Sequence, residues 1–366
     1  MNKIFSGKKV LITGHTGFKG SWLSLWLHSL GADIFGVSDK ELSIPSNFNA
    51  SSIEGISQNY YVDIRDLDSL RKLISKIQPD FVFHLAAQAL VRPSYINPLD
   101  TVSTNAIGTG NVLESLRDLE KKVVAVIITS DKVYDNVEWV WGYKETDKIG
   151  GIDPYSASKG MAEILIRSYC KSFFNSKDCN IKIGVTRAGN VIGGGDWAVD
   201  RIVPDCMRSW SKGRSVDIRN PNATRPWQHV LEPLSGYIWL ALNLEKNNEL
   251  HGETFNFGPL YDMNYPVYKL IDEMAKHWDK VNWNDVSNSN IQLHEASLLK
   301  LNCDKALFDL NWHSNLGFED TIKMTVEWYK KYYQNPKKSM LNFSLEQIKY
   351  FTDKARKNKI LWALHD

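Results

Sequence analysis

Ser130-Asp131-Lys132 sets a hydroxyl, a carboxyl and an amine side by side, and Tyr155 and Lys159 follow about 25 residues later. Four positions separate the Tyr from the Lys, so on a helix they share one face. An ammonium beside a phenol favours the phenolate, which lets a tyrosine act as a base near neutral pH. Those groups with a nearby hydroxyl suffice to oxidise an alcohol. The adjoining acid and amine exceed that need.

The elements that must position these groups follow from the hydrophobic pattern. Residues 9–13 are a short β-branched run, a buried strand. Gly14, Gly17 and Gly20 come next, then a helix from Ser21 that Gly31 stops. Further strands are expected at 33–37, near 60–62, at 80–85, 123–128 and 182–186. Helices are expected at 67–77, as one long element at 100–118, and from Tyr155 to about Phe174. The polar stretch 38–58 reads as loop. Strands alternating with helices imply an α/β fold, a doubly wound parallel sheet with helices on both faces. After Arg187 the texture changes, with Gly193-Gly194-Gly195 and four prolines between 204 and 233 breaking up a smaller, loop-rich lobe. The expected division is 1–190 as a dinucleotide-binding domain, rejoined by parts of 228–258, then 191–335 as a substrate lobe. A tail at 336–366 carries a short helix, opened by a capping box at Ser344-Leu345-Glu346-Gln347 and packed through Leu345, Ile348 and Phe351.

The bulk composition excludes several classes. The net charge of the 366 residues is +2, with no block of like charge, so nothing favours nucleic acid or an anionic membrane. Cysteines 170, 179, 206 and 303 fall at no metal-ligand or redox spacing, so no metal is expected and structural thiols in a reducing compartment are. A strand begins almost at once, leaving no room for a signal peptide, and no apolar stretch reaches membrane-spanning length. A soluble cytoplasmic protein is the expectation.

A strand, a glycine loop and a helix in succession let backbone N–H groups and the helix N-terminus receive a pyrophosphate. The spacing is GxxGxxG, which resembles the extended branch of the short-chain dehydrogenase/reductase superfamily. That resemblance implies cofactor contacts from Gly14, Thr16, Gly17, Phe18, Lys19 and Gly20, from Asp63 and Ile64 at the adenine, from the turn Ala86-Ala87-Gln88, and from Asn105. Asp63 is alternatively a helix N-cap, a role better suited to Asp66. Asn105 is alternatively structural, and His84 a core residue. Asp39 and Lys40, after the second strand, leave NAD and NADP open. In this superfamily the Tyr removes a hydroxyl proton while hydride leaves the same carbon, the Lys holds the ribose, and the Ser bonds the substrate oxygen. Tyr155, Lys159 and Ser130 would take those roles.

Within the superfamily the sugar-nucleotide 4,6-dehydratases carry Thr-Asp-Glu where this chain has Ser130-Asp131-Lys132. Oxidation at sugar carbon 4 acidifies the proton on carbon 5. A base removes it while an acid protonates the departing hydroxyl on carbon 6, and the stored hydride returns to carbon 6. Asp131 keeps the acid role if it is protonated in the complex. Lys132 replaces the carboxylate base. It either abstracts the proton in its neutral form or stabilises the enolate while another group is the base. The resemblance to these dehydratases extends over roughly 6–330. It rests on GHTGFKGSWLSLWL at 14–27, ITSDK at 128–132, EWVWGYKE at 138–145, DPYSASKG at 153–160, RAGNVIGGGDWAVDR at 187–201 and RPWQHVLEPLSGY at 225–237. It implies NAD as cofactor, since a carrier regenerated each turnover need not draw on the NADPH pool, and a nucleotide sugar, CDP-glucose, as substrate. Gln88, Ser130, Asn190, Arg201, Arg225 and His229 would contact that substrate, with the guanidinium of Arg225 suited to a phosphate. For His229 a turn histidine is the alternative. Trp139, Trp141, Trp197 and Trp227 are candidates to stack a pyrimidine, with core or lid packing the alternative for each. The family commonly dimerises through the two long helices, so a homodimer is expected.

Overall fold

In the computed structural model, residues 2–40, 44–176, 179–287 and 298–364 are described. Seven strands form one parallel sheet. They are β1 (Lys9–Thr13), β2 (Asp33–Ser38), β3 (Gln58–Tyr61), β4 (Phe81–His84), β5 (Val123–Ile128), β6 (Ile181–Arg187) and a seventh, Thr254–Asn256. Across the sheet the order is β3-β2-β1-β4-β5-β6 and then the seventh strand. The order reverses between β1 and β4, and the crevice at that switch point is where open α/β sheets bind ligands. Pairing is in parallel register throughout, for example Thr13 with Val37 on one side and His84 on the other. The central strands β4 and β5 are buried on both faces, as their near-continuous apolar runs require, whereas the edge strand β3 is not. Leu11, Val82 and Ile127 point to one layer, and Val10, Ile12, Phe83 and Val126 to the other.

The glycine-loop helix, Phe18–Ser29, is apolar almost all round and buries Trp22, Leu23, Leu25, Trp26 and Leu27. Such a helix needs cover on more than its sheet side. The tail supplies it. Helix Leu341–Lys357 lies against it, with Trp26 5.7 Å from Phe351 and 5.9 Å from Trp362 between ring centroids. This helix is longer than the expected one and starts before Ser344, which is no N-cap. Its hydroxyl instead accepts from Trp328 Nε1 at 2.9 Å. A capping-box pattern was overridden by a helix whose start is set by packing: Met340 donates its N–H to Ala50 O at 2.7 Å.

Other departures are local. A short helix at Asn2–Phe5 precedes β1, and the polar stretch expected as loop holds a helical turn at Asn47–Ala50 and another at Ile53–Ile56, with 41–43 outside the described residues. The long helix expected at 100–118 is interrupted: Pro98–Val102 passes through a π-helical turn at Ser103–Ile107 into Gly108–Arg117. The glycine run in the lobe is a packing device. A side chain on Gly193 would meet Val230 and Phe18, on Gly194 the ring of Trp328, and on Gly195 the side chain of Asn47. Trp22 Nε1 donates to Gly194 O at 2.8 Å, so the run joins the lobe to the glycine-loop helix. No helix among the described residues is long and apolar enough to cross a membrane, and no group of His, Cys, Asp and Glu there could hold a metal.

Candidate active site

The site lies at the C-terminal ends of β1, β4, β5 and β6. Gly14 leaves β1 at φ 75°, a left-handed conformation, and a Cβ there would lie 2.7 Å from Ala86 N. A Cβ on Gly20 would lie 2.1 Å from Gly14 O. The loop is thus closed to side chains. Gly17 caps the following helix without a side-chain bond and no acid stands in the first turn, so its leading N–H groups are free to receive an anion. Thr16 Oγ1 donates to Lys40 O and is hydrogen-bonded to Ser38 Oγ, tying the loop to the end of β2, where Asp39 and Lys40 are exposed and 4.0 Å apart. Phe18 is half-buried against the core. These features fit a dinucleotide laid across the sheet edge.

The rest of the expected cofactor wall is held by side chains turned on the backbone. Asn105, on the π-helical turn, accepts from Gln88 N at 2.8 Å and donates to Gln88 O at 3.0 Å and Ser158 Oγ at 2.8 Å. It therefore fixes the turn after β4 and joins it to the helix of Tyr155, the structural role. The extra residue of a π turn redirects one side chain, and such turns gather at functional sites. Gln88 is likewise engaged, with its amide bonded to Leu90 O and Thr101. Ala86 and Ala87 are half-buried beside it. Asp63 is clamped by Arg65, whose guanidinium holds its carboxyl below the usual range. Asp66 caps the next helix by accepting from Ser69 N. Ile64 is buried against Gly108, and His84 bridges Thr13 and Thr109 in the core.

The reactive groups converge from β5 and one helix. Asp153 caps helix Pro154–Ser172 by accepting from Ser156 N at 2.9 Å, and Pro154 occupies the first turn. Tyr155 therefore sits at the helix start and Lys159 one turn on, and both are buried. Ser130 Oγ donates to Asp131 Oδ1 at 3.0 Å and accepts from Lys132 N at 3.2 Å, and it lies close enough to the Tyr155 phenol to favour its ionised form. Burial drives the phenol above its ordinary value, opposed by Ser130 and by Arg201. The sequence reading has Lys159 favouring the phenolate; the largest influences on the phenol here are burial, Ser130, Asp131 and Arg201. Burial also lowers the Lys159 ammonium, against the opposing pull of Glu163, to about 8.

Glu163, four residues beyond Lys159, belongs to a network that the sequence reading missed. Thr129 Oγ1 donates to it at 2.6 Å and Arg187 Nε at 2.8 Å, while Arg187 Nη1 reaches Tyr134 at 2.7 Å. A buried ion pair with its hydrogen bonds satisfied is costly to break from either side. It locks β5, β6 and the Tyr155 helix together beneath Ser130 and Lys159. The helical spacing of Tyr155, Lys159 and Glu163 was the available signal.

Cations gather around this centre. The Lys19 ammonium is lowered to about 8, first by burial, then by Arg201, with Asp131 opposing and Lys159 adding to the shift. Arg201 is paired with Asp196 at 2.8 Å and lies in the field of Tyr155. Lys132 is half-buried on the turn Asp131–Val133 and makes no ion pair among the described residues. Asn190 sits at φ 52°, its carbonyl accepting from Gln228 N. Arg225 lies half-buried on a two-residue strand paired with Tyr265–Pro266. His229 is the exception. It is fully buried, edge-on to Trp22 at 6.2 Å, and its Nδ1 accepts from Leu231 N. Burial pushes it down to about 3, so it is neutral. Its Nε2 is buried with no hydrogen-bond partner among the described residues, so it is not a fully satisfied turn histidine. Trp197 and Trp227 are core residues, and Trp139 and Trp141 are exposed.

Comparison with known proteins places this geometry. The family profile described as GDP-mannose 4,6 dehydratase matches residues 11–325. The CDP-glucose 4,6-dehydratase of Salmonella typhimurium is 46% identical over 330 residues, covering 89% of this chain and 91% of that protein. The dTDP-glucose 4,6-dehydratase of Shigella flexneri is 26% identical over 347 residues, covering 88% and 92%. Among solved structures, a UDP-glucose 4-epimerase of Stenotrophomonas maltophila superposes with a TM-score of 0.76 at 21% identity, covering 89% of this chain and 99% of that one. At that identity the likeness speaks for the fold.

Proposed function

This chain belongs to the GDP-mannose 4,6 dehydratase family, and we propose that it converts CDP-glucose to CDP-4-dehydro-6-deoxyglucose and water with NAD as cofactor. NAD, when bound, supplies a reversible acceptor for the carbon 4 hydride, which it would give to carbon 6. Gly14, Gly17 and Gly20 provide its backbone cradle, and Lys159 is placed to hold its ribose. Tyr155, polarised by Ser130, takes the proton of the carbon 4 hydroxyl as hydride departs. Asp131 then gives its proton to the leaving hydroxyl of carbon 6 as the carbon 5 proton is removed, and a proton returns to carbon 5 when carbon 6 receives its hydride. One water is lost and no net oxidation occurs. Lys132 abstracts the carbon 5 proton or stabilises the enolate. Asn190, Arg201 and Arg225 line the diphosphate side. The cleft between residues 1–190 and the lobe 191–335 receives the sugar nucleotide.

The observation that carries this reading is the Asp131 carboxylate accepting from Ser130 Oγ at 3.0 Å, on the serine that faces Tyr155. An acid at that point serves an elimination and has no part in a simple epimerisation. Two-helix pairing in a homodimer, in the cytoplasm, completes the proposal. Ile96, Leu99, Ile107, Met161 and Ile164 are exposed on or beside the packed helices 98–117 and 154–172, a surface that a second copy would cover.

The test is a panel of CDP-, dTDP-, GDP- and UDP-glucose, followed by mass spectrometry. CDP-glucose is expected to lose one water and to be preferred at least tenfold. Preference for another base corrects the substrate. Conversion without loss of mass would make the protein an epimerase.

A further inference from the structure

We propose that Gly189 is a positioning residue for Asp131: the missing side chain at 189 is the seat on which the carboxylate rests. The proposal builds on Asp131 as the acid of the dehydration. A Cβ on Gly189 would fall 1.8 Å from Asp131 Oδ2, 2.1 Å from Cγ and 2.5 Å from Oδ1. The carboxylate therefore occupies the space that any other residue would fill. Conformation is not the reason for glycine here. Gly189 is absent from the glycines with positive φ, whereas its neighbour Asn190 tolerates φ 52°.

Neither backbone can retreat. Gly189 O accepts from Gln228 Nε2 at 2.9 Å, and that amide also holds Phe257 O at 3.0 Å. On either side, Arg187 O accepts from Phe257 N at 2.8 Å and Asn190 O from Gln228 N at 3.2 Å. Across the gap, Thr129 N donates to Thr186 O at 2.8 Å and Ser130 O accepts from Val133 N at 3.3 Å. An added methyl must therefore turn the Asp131 side chain, taking Oδ2 from 1.8 Å to at least the 3.4 Å of ordinary contact and away from Ser130. A shift of this size at a proton donor costs about 100-fold in rate.

Four proteins test this: the wild type, Gly189→Ala, Asp131→Ala and the double variant. Turnover of CDP-glucose is expected to fall about 100-fold in Gly189→Ala, with reduced cofactor building up in a single turnover because carbon 4 oxidation precedes the acid step. In the Asp131→Ala background the same substitution should change residual turnover less than about twofold, since its target is gone. The thermal midpoint should show the same coupling: a drop of about 2–4 °C for Gly189→Ala that the double variant relieves. Equal losses in both backgrounds, or a Gly189→Ala protein with wild-type activity, would overturn the proposal. Failure of the wild type itself to release water contradicts the dehydratase reading instead, and the thermal cycle then decides whether Gly189 seats Asp131.

Discussion

Tyr155→Phe is expected to lower turnover by about 1,000-fold while the protein stays folded. The substitution removes one oxygen and keeps the ring, which is buried at the start of a helix anchored by Asp153 and by Ser94, whose hydroxyl accepts from Tyr155 N at 3.2 Å. Ser130 keeps its bond to Asp131, so no buried hydroxyl is stranded. What disappears is the group that takes the carbon 4 proton, and without it hydride cannot leave. Both the reduced cofactor of a single turnover and the keto product should vanish together, with substrate binding retained. Steady-state and rapid-mixing measurements check this. A Phe variant with more than about a tenth of wild-type activity would remove Tyr155 from the mechanism.

Asp131→Asn is expected to separate the two halves of the reaction. The amide fills the same volume over Gly189 and its oxygen can still accept from Ser130, but it has no acidic proton for the leaving hydroxyl. Oxidation at carbon 4 should proceed within a few-fold of wild type, while water loss falls by about 100- to 10,000-fold. Reduced cofactor and a 4-keto hexose with its carbon 6 oxygen intact should accumulate. Equal loss of both steps would mean that Asp131 serves binding or structure, not acid transfer.

The contrast between these variants follows what the sequence made readable. Helix Leu67–Ile77 and strand Val123–Ile128 have the expected bounds, because one carries a regular apolar stripe and the other an unbroken apolar run rich in β-branched residues. The Tyr155–Lys159 pair and the glycine loop were legible from local spacing alone. Features that depend on distant partners were not. His229 reads as a turn histidine or a substrate contact in the sequence, yet it is fully buried and edge-on to Trp22, some 200 residues earlier. The start of the tail helix answers to Ala50 and Trp328, not to its own capping pattern. The Tyr155 phenol is governed by how deeply the fold buries it, a property that adjacency to a lysine does not reveal. Gly189 reads as one glycine among 23, and only the fold brings it beneath Asp131.

One isotopic measurement tests the central claim, that hydride from carbon 4 is stored and returned to carbon 6 as water leaves. CDP-glucose carrying deuterium at carbon 4 is incubated with the protein and NAD, and the product is read by mass spectrometry and NMR. The account predicts a 4-keto product lighter by one water with the deuterium on carbon 6. A product of unchanged mass inverted at carbon 4, or one that has lost its label to solvent, would contradict it.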